Sequence, residues 1–170
     1  MELHMQPNEH DWQRRLPDWP TAVGAGLVGG AVLMVLELFW SVSVSNVSPW
    51  FISHQIAGIV LGADALQSSA FSLSVVGVAL VTHYVLGIVF GLVLALVIAG
   101  FHYESSAAVA QTIGVVFGAV LYLLNFHAMS ALFPWIAELR GWATFIAHLI
   151  FGLSVVLTYQ WLVARRGAGR

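Results

Sequence analysis

Glu37, His83, Asn125 and His148 stand out because all four fall inside long apolar stretches, where ionisable and amide groups are rare and expensive to keep. Two imidazoles and a carboxylate are suitable ligands for zinc, iron or manganese, and ligand type alone does not choose among these metals. Asn125 suits a hydrogen-bonding role behind such ligands better than direct coordination. His83 and His148 could equally form the axial pair of a b-type haem, since each is followed one turn later by a glycine, Gly87 and Gly152, that leaves room for a flat macrocycle. A carboxylate at the same level is not needed by bis-histidine haem and favours the metal.

A third reading needs no cofactor. Glu37 and Asn125 would hydrogen-bond to the two histidines as a polar clamp that sets helix register, at a typical ~0.6 kcal/mol per interhelical bond. Proton or ion passage is a fourth, but the opposite halves of the apolar stretches carry no further ionisable groups to continue a relay. His127 lies two positions from Asn125, roughly 200° around an ideal helix, so both cannot face one site. It joins Asn125 as an outer partner of the ligands only if a local break before Pro134 turns it inward. His54 reads as solvent-facing, and Tyr122 and Tyr159 as packing or anchoring residues.

The elements that hold these groups are four apolar stretches, at residues 21–44, 71–100, 107–132 and 142–163. Each exceeds the ~20 residues that cross ~30 Å of hydrocarbon as a helix. The second is 30 residues long, about 45 Å at ~1.5 Å per residue, so it must tilt or protrude. Between the first two, Ser48-Pro49 is a helix-start arrangement and Gly62 a stop. Residues 49–61 are too few to span, and their apolar Ile52, Ile56, Ile59 and Val60 oppose Ser53, His54 and Gln55, which predicts a helix lying flat at the interface.

Composition agrees. Charged residues make up 8% of the 170, against 59% hydrophobic, so the expected class is an integral membrane protein. Six arginines, no lysine and a net charge of -2 exclude nucleic-acid binding as a main role. The absence of cysteine excludes thiolate ligands and iron–sulfur clusters. No H-E-x-x-H, G-x-S-x-G or P-loop points to an enzyme class. Gly24, Gly26 and Gly29 spell G-x-G-x-x-G with no strand before them, so they read as packing glycines.

An internal repeat organises the chain. GLVGGAVLMVLE at 26–37 matches GVVFGAVLYLLN at 114–125 with seven identities in twelve positions, at an offset of 88. Each copy is followed by Pro-Trp, then by a span carrying H-x-x-x-G. The unit is a two-helix hairpin, with repeat one at about 21–100 and repeat two at about 107–164. Copies with an even number of spans share one topology and are related by an axis along the membrane normal. Glu37 should then face Asn125, and His83 should face His148. Gly26, Gly30, Leu33 and Glu37 share a helix face, as do Gly114, Gly118, Leu121 and Asn125. Counting from the span ends puts Glu37, His148 and Asn125 at depths of roughly 10, 9 and 13 Å, one polar layer in the outer half of the bilayer, with His83 reaching it if span two enters near Ser74.

The expected architecture is therefore an all-α, four-helix integral membrane bundle of two tandem two-helix repeats, with a short interfacial helix between spans one and two. Residues 1–20 form an arm, 21–166 the bundle and 167–170 a tail. Arg14, Arg15, Arg165, Arg166 and Arg170 flank the terminal spans and only Arg140 lies opposite, which puts both termini in the cytoplasm. The mixed charges of residues 1–20 do not read as a signal peptide.

The run L-F-P-W, the A-H-L-I-F-G of span four and the S-P-W of the first outer loop resemble a group of small four-span bacterial membrane proteins of uncharacterised function. The resemblance covers everything after residue 20 and implies a bacterial inner-membrane location, with no residue roles to transfer. Apart from the cofactor readings, a small bundle of this kind is suited to be an accessory subunit docked to a larger respiratory or transport complex, or to self-associate as a homo-oligomer through its outward apolar faces.

Overall fold

The structure, a computed structural model, describes residues 16–45, 47–100 and 106–168. The described residues form five α-helices: α1 (Trp19–Ser43), α2 (Pro49–Leu61), α3 (Leu73–Gly100), α4 (Ala107–Leu123) and α5 (Trp142–Ala168). With the turns that extend α4 to Ala131, four of them are long and apolar enough to cross a membrane. The chain is a multi-pass membrane protein.

Helix starts follow local chemistry. The Asp18 carboxylate accepts from the Thr21 N–H at 3.1 Å and Ser106 Oγ accepts from the Val109 N–H at 3.4 Å, capping α1 and α4. Asp18 and Ser106 are also 88 residues apart, so the repeat extends to the caps. Ser48 caps α2 before Pro49, and Gly62 ends it at a φ of 84°.

The helices bury small residues and expose large ones. On α3, Ala79, His83, Gly87, Gly91, Leu94, Ala95 and Ile98 are buried, whereas Val81, Val85, Val89 and Val93 are exposed. Hydrocarbon solvates valine as well as a protein core does, so association relies on close backbone approach. In the first hairpin, α1 and α3 cross at Gly26, Gly87 and Gly91, where an added Cβ on Gly26 or Gly91 would lie under 3 Å from the opposite backbone. In the second, α4 and α5 cross at Gly114, Gly118 and Gly152 under the same constraint.

The pairs α1–α3, α4–α5 and α1–α5 pack extensively, whereas α3 and α4 barely touch. The row thus runs α3, α1, α5, α4, and the α1–α5 seam buries Ala22, Ala25, Phe151, Val155 and Tyr159. At one end the seam carries a polar latch. The Asp18 N–H donates to Tyr159 Oη at 3.2 Å and Arg166 Nη1 pairs with the Asp18 carboxylate at 2.6 Å.

Two expectations need correction. The second repeat's first helix leaves α geometry at Leu124, passing through a π-helical turn (Leu124–Ala128) and a short 3-10 turn before Pro134. α2 turns its polar side inward, with His54 and Gln55 each 4% exposed while Val60 and Leu61 face outward. It packs on α3, and the face expected to meet water instead meets polar protein groups. His54 is accordingly not solvent-facing, since its Nδ1 lies against the Ala65 carbonyl and its Nε2 against the Ala70 carbonyl, at 2.5 and 2.9 Å.

Candidate functional site

Glu37, His83, Asn125 and His148 line one cavity of about 120 Å3 at the end of the bundle that carries α2. Four helical elements contribute: α1 gives Glu37, α3 His83, the π-helical turn Asn125 and α5 His148. The remaining wall is mostly apolar, with Phe90, Phe126 and Phe151 prominent, and Gln55 enters from α2. An apolar pocket with a few convergent polar groups is the usual form of a binding site.

The glycine crossings set the positions of both histidines. Close approach of α1 to α3 lets His83 Nε2 reach the Gly30 carbonyl at 2.8 Å. In the second hairpin the α5 backbone at His148 lies so near Gly118 that the latter has no room for a Cβ. His148 Nδ1 instead meets the Thr144 carbonyl one turn back on α5 at 2.8 Å, which leaves Nε2 3.5 Å from the Asn125 amide. A carbonyl only accepts, so the nitrogen facing it carries the proton and the other ring nitrogen keeps a lone pair.

The four groups share a cavity, yet their hydrogen bonds run within each hairpin. His148 pairs with Asn125 across α4 and α5, and His83 with backbone across α1 and α3. Among the described residues the Glu37 carboxylate has no hydrogen-bond or ion-pair partner, and no three His, Asp or Glu side chains are gathered closely enough to hold a metal ion. The glycines below the histidines are filled by helix contact, Gly87 by α1 and Gly152 by α4.

The π-helical turn places Asn125. Its extra residue shifts side-chain phase, a departure frequent at functional sites, and Arg140 secures it by donating from Nε to the Phe126 carbonyl at 2.6 Å and from Nη2 to Ser130 Oγ at 2.7 Å. His127 is not brought to the cavity. It is exposed, with its ring 5.8 Å from that of Tyr122.

A larger vestibule of about 640 Å3 adjoins the cavity, between α1, α2 and the start of α5. Trp40 and Trp142 meet edge to face at 4.5 Å on its wall, and Glu37, Glu138 and Arg140 are its ionisable residues. Glu37 and Leu139 border both spaces, so the acid stands between the vestibule and the histidines.

Sequence reasoning missed Gln55. Its amide oxygen is buried without a partner among the described residues, although residue order places its polarity on a water-facing side of α2. The available signal was the pair Val60 and Leu61, apolar residues that α2 leaves exposed. No family model, curated protein or solved structure matches this chain.

Proposed function

We propose that this membrane protein holds a transition-metal ion in the cavity beneath α2, with Glu37, His83 and His148 as donors and Asn125 as an outer hydrogen-bonding group whose long 3.5 Å contact with His148 Nε2 the ion would replace. The observation that carries this reading is the division of labour in both imidazole rings. Each gives one nitrogen to a backbone carbonyl, Gly30 for His83 and Thr144 for His148, which leaves the second with a lone pair, that of His148 engaged only by the long Asn125 contact, on a cavity wall shared with a carboxylate that has no partner among the described residues. Metal-binding histidines characteristically donate their other N–H in this way, which fixes tautomer and ring orientation. Binding requires the donors to draw together from their present separation. Zinc, iron and manganese all accept such a nitrogen and oxygen set.

Haem is less well supported. The faces of Gly87 and Gly152 are occupied by neighbouring helices, and about 120 Å3 falls below the ~300–1,000 Å3 of cavities that take drug-sized ligands. Ion passage is also less well supported, because beyond the cavity the core closes through Ala22, Ala25, Leu94 and Ile98. The arginine distribution supports cytoplasmic termini, which would open the vestibule to the outer face of a bacterial inner membrane.

A second reading is favoured by the 3.5 Å contact of Asn125 with His148 and by the scattered acids and imidazoles. In it the polar groups only set helix register, and the protein is a cofactor-free accessory subunit of a larger membrane complex. Metal analysis of protein purified from its own host separates the two. The metal reading expects near one ion per chain in the wild type and loss of it in His148→Ala. Metal-free wild type, copurifying with one stoichiometric larger complex, would establish the accessory role instead.

A further inference from the structure

The two ends of the Gln55 amide have unequal surroundings. Nε2 donates to Glu138 Oε2 at 3.3 Å, whereas Oε1 is buried with no hydrogen-bond partner among the described residues, and the residue is 4% exposed. Its backbone is held as well, since Trp135 Nε1 donates to the Gln55 carbonyl at 3.1 Å. Flipping the amide gives no relief. It would set the carbonyl oxygen against the Glu138 carboxylate and leave two N–H donors without that acceptor. A buried acceptor without a partner is destabilising, and native structures retain few of them.

Gln55 lies on the wall of the same cavity as Glu37, His83 and His148. We propose that Gln55 is a fourth donor in this cavity, its amide oxygen completing a mixed nitrogen and oxygen set for a divalent cation, with Glu138 as the positioning residue that holds the amide in place. The inference rests on the metal reading and deepens it. Two imidazole nitrogens, one carboxylate oxygen and one amide oxygen form a harder set than imidazoles alone, suited to manganese or iron as well as zinc. It also gives α2 a role. The short helix that does not span brings the last ligand, and Glu138 in the Pro134–Leu139 turn fixes that ligand from the second repeat.

The test uses full-length protein in nanodiscs, stripped with a chelator and titrated separately with Mn2+ and Zn2+ by equilibrium dialysis. Gln55→Met keeps the side chain's length and removes the acceptor. It should weaken whichever ion the wild type holds tenfold or more, while the metal-free protein melts no lower than wild type because a partnerless buried oxygen is gone. Gln55→Glu combined with Glu138→Gln exchanges the two roles and should bind at least as tightly as wild type. Glu138→Leu should lose affinity severalfold and Glu138→Gln, which retains an acceptor for Gln55 Nε2, should recover it. Equal affinity in wild type and Gln55→Met overturns the inference and leaves the metal reading standing, with water satisfying the amide. Failure of the wild type to bind either ion overturns both.

Discussion

The α1–α5 seam and its counterpart between α3 and α4 would be alike if the two hairpins were interchangeable, and they differ sharply. α1 and α5 pack along their length, whereas α3 and α4 barely meet. The repeat identifies two differences. Gly29 admits Phe151 and Val155 to the first seam, and 88 residues later Phe117 stands in its place. Asp18 caps α1 and pairs with Arg166 of α5, while its equivalent Ser106 caps α4 without a charge. The site depends on this inequality. A duplicated hairpin supplies matched histidines, and a mismatched pair of seams leaves room between them. What stays equal within each hairpin is the glycine crossing.

That equality can be broken directly. Gly152→Val forces a side chain against the Gly114 carbonyl, and Gly91→Val does the same against Gly26 of α1. Overpacking of cores is destabilising by ~1–3 kcal/mol, and contact with backbone, which cannot swing aside, places both variants at or above the upper end. Both should show a large drop in Tm by circular dichroism in detergent. Gly77→Ala, with nothing near its Cβ position, should match wild type. A tolerated Gly152→Val beside a disrupted Gly91→Val would mean that the hairpins do not pack by one rule.

The seam itself is tested by exchanging residues. Phe117→Gly should let α3 and α4 approach the ~8–10 Å interaxial distance of packed helices, and Gly29→Phe should push α1 from α5. The chain has no cysteine, so paired spin labels at exposed Val89 and Val116 can follow the first change without background. The expected outcome is a shorter label distance in Phe117→Gly and a moderate loss of stability. An unchanged distance would show that the ring does not hold α3 and α4 apart.

Much of this was legible in residue order. Span count, the Pro49–Leu61 helix and the shared faces of Gly26 with Gly30 and Gly114 with Gly118 follow from hydropathy and periodicity, which report how a helix meets its solvent. The common cavity of Glu37, His83, Asn125 and His148 follows from phase and depth. The direction of their hydrogen bonds does not, because a pseudosymmetry axis predicts facing pairs while the glycine crossings draw each histidine to the backbone of its own hairpin or helix. The π-helical turn depends on Arg140 reaching the Phe126 carbonyl from the next loop, a contact with no local signature. α2 was misread for a general reason. Amphipathicity shows that a helix has two faces, and backbone carbonyls and a carboxylate of the protein can claim the one usually given to water.

The smallest effect concerns the latch that, among the described residues, only the first seam possesses. The Arg166 guanidinium and the Thr21 N–H hold the Asp18 carboxyl below its ordinary value. A carboxylate whose pKa is lower folded than unfolded adds stability above its unfolded value of ~3.9, and that contribution disappears as pH falls through the folded value. The pair is partly exposed, at 52% for Arg166 and 36% for Asp18, so solvent screens most of it. Asp18→Asn, which keeps a capping oxygen, should therefore lower Tm at pH 7 by no more than ~2 °C. The difference from wild type should fade as pH drops below the ordinary carboxylate range and through the lowered folded value, and it should shrink in 1 M salt. Ser106→Asp sharpens the comparison, because it supplies the charge where α3 offers no observed partner. It should leave the α3–α4 separation as it is, and closure of that gap would show that charge at the cap, more than Phe117, sets the two seams apart.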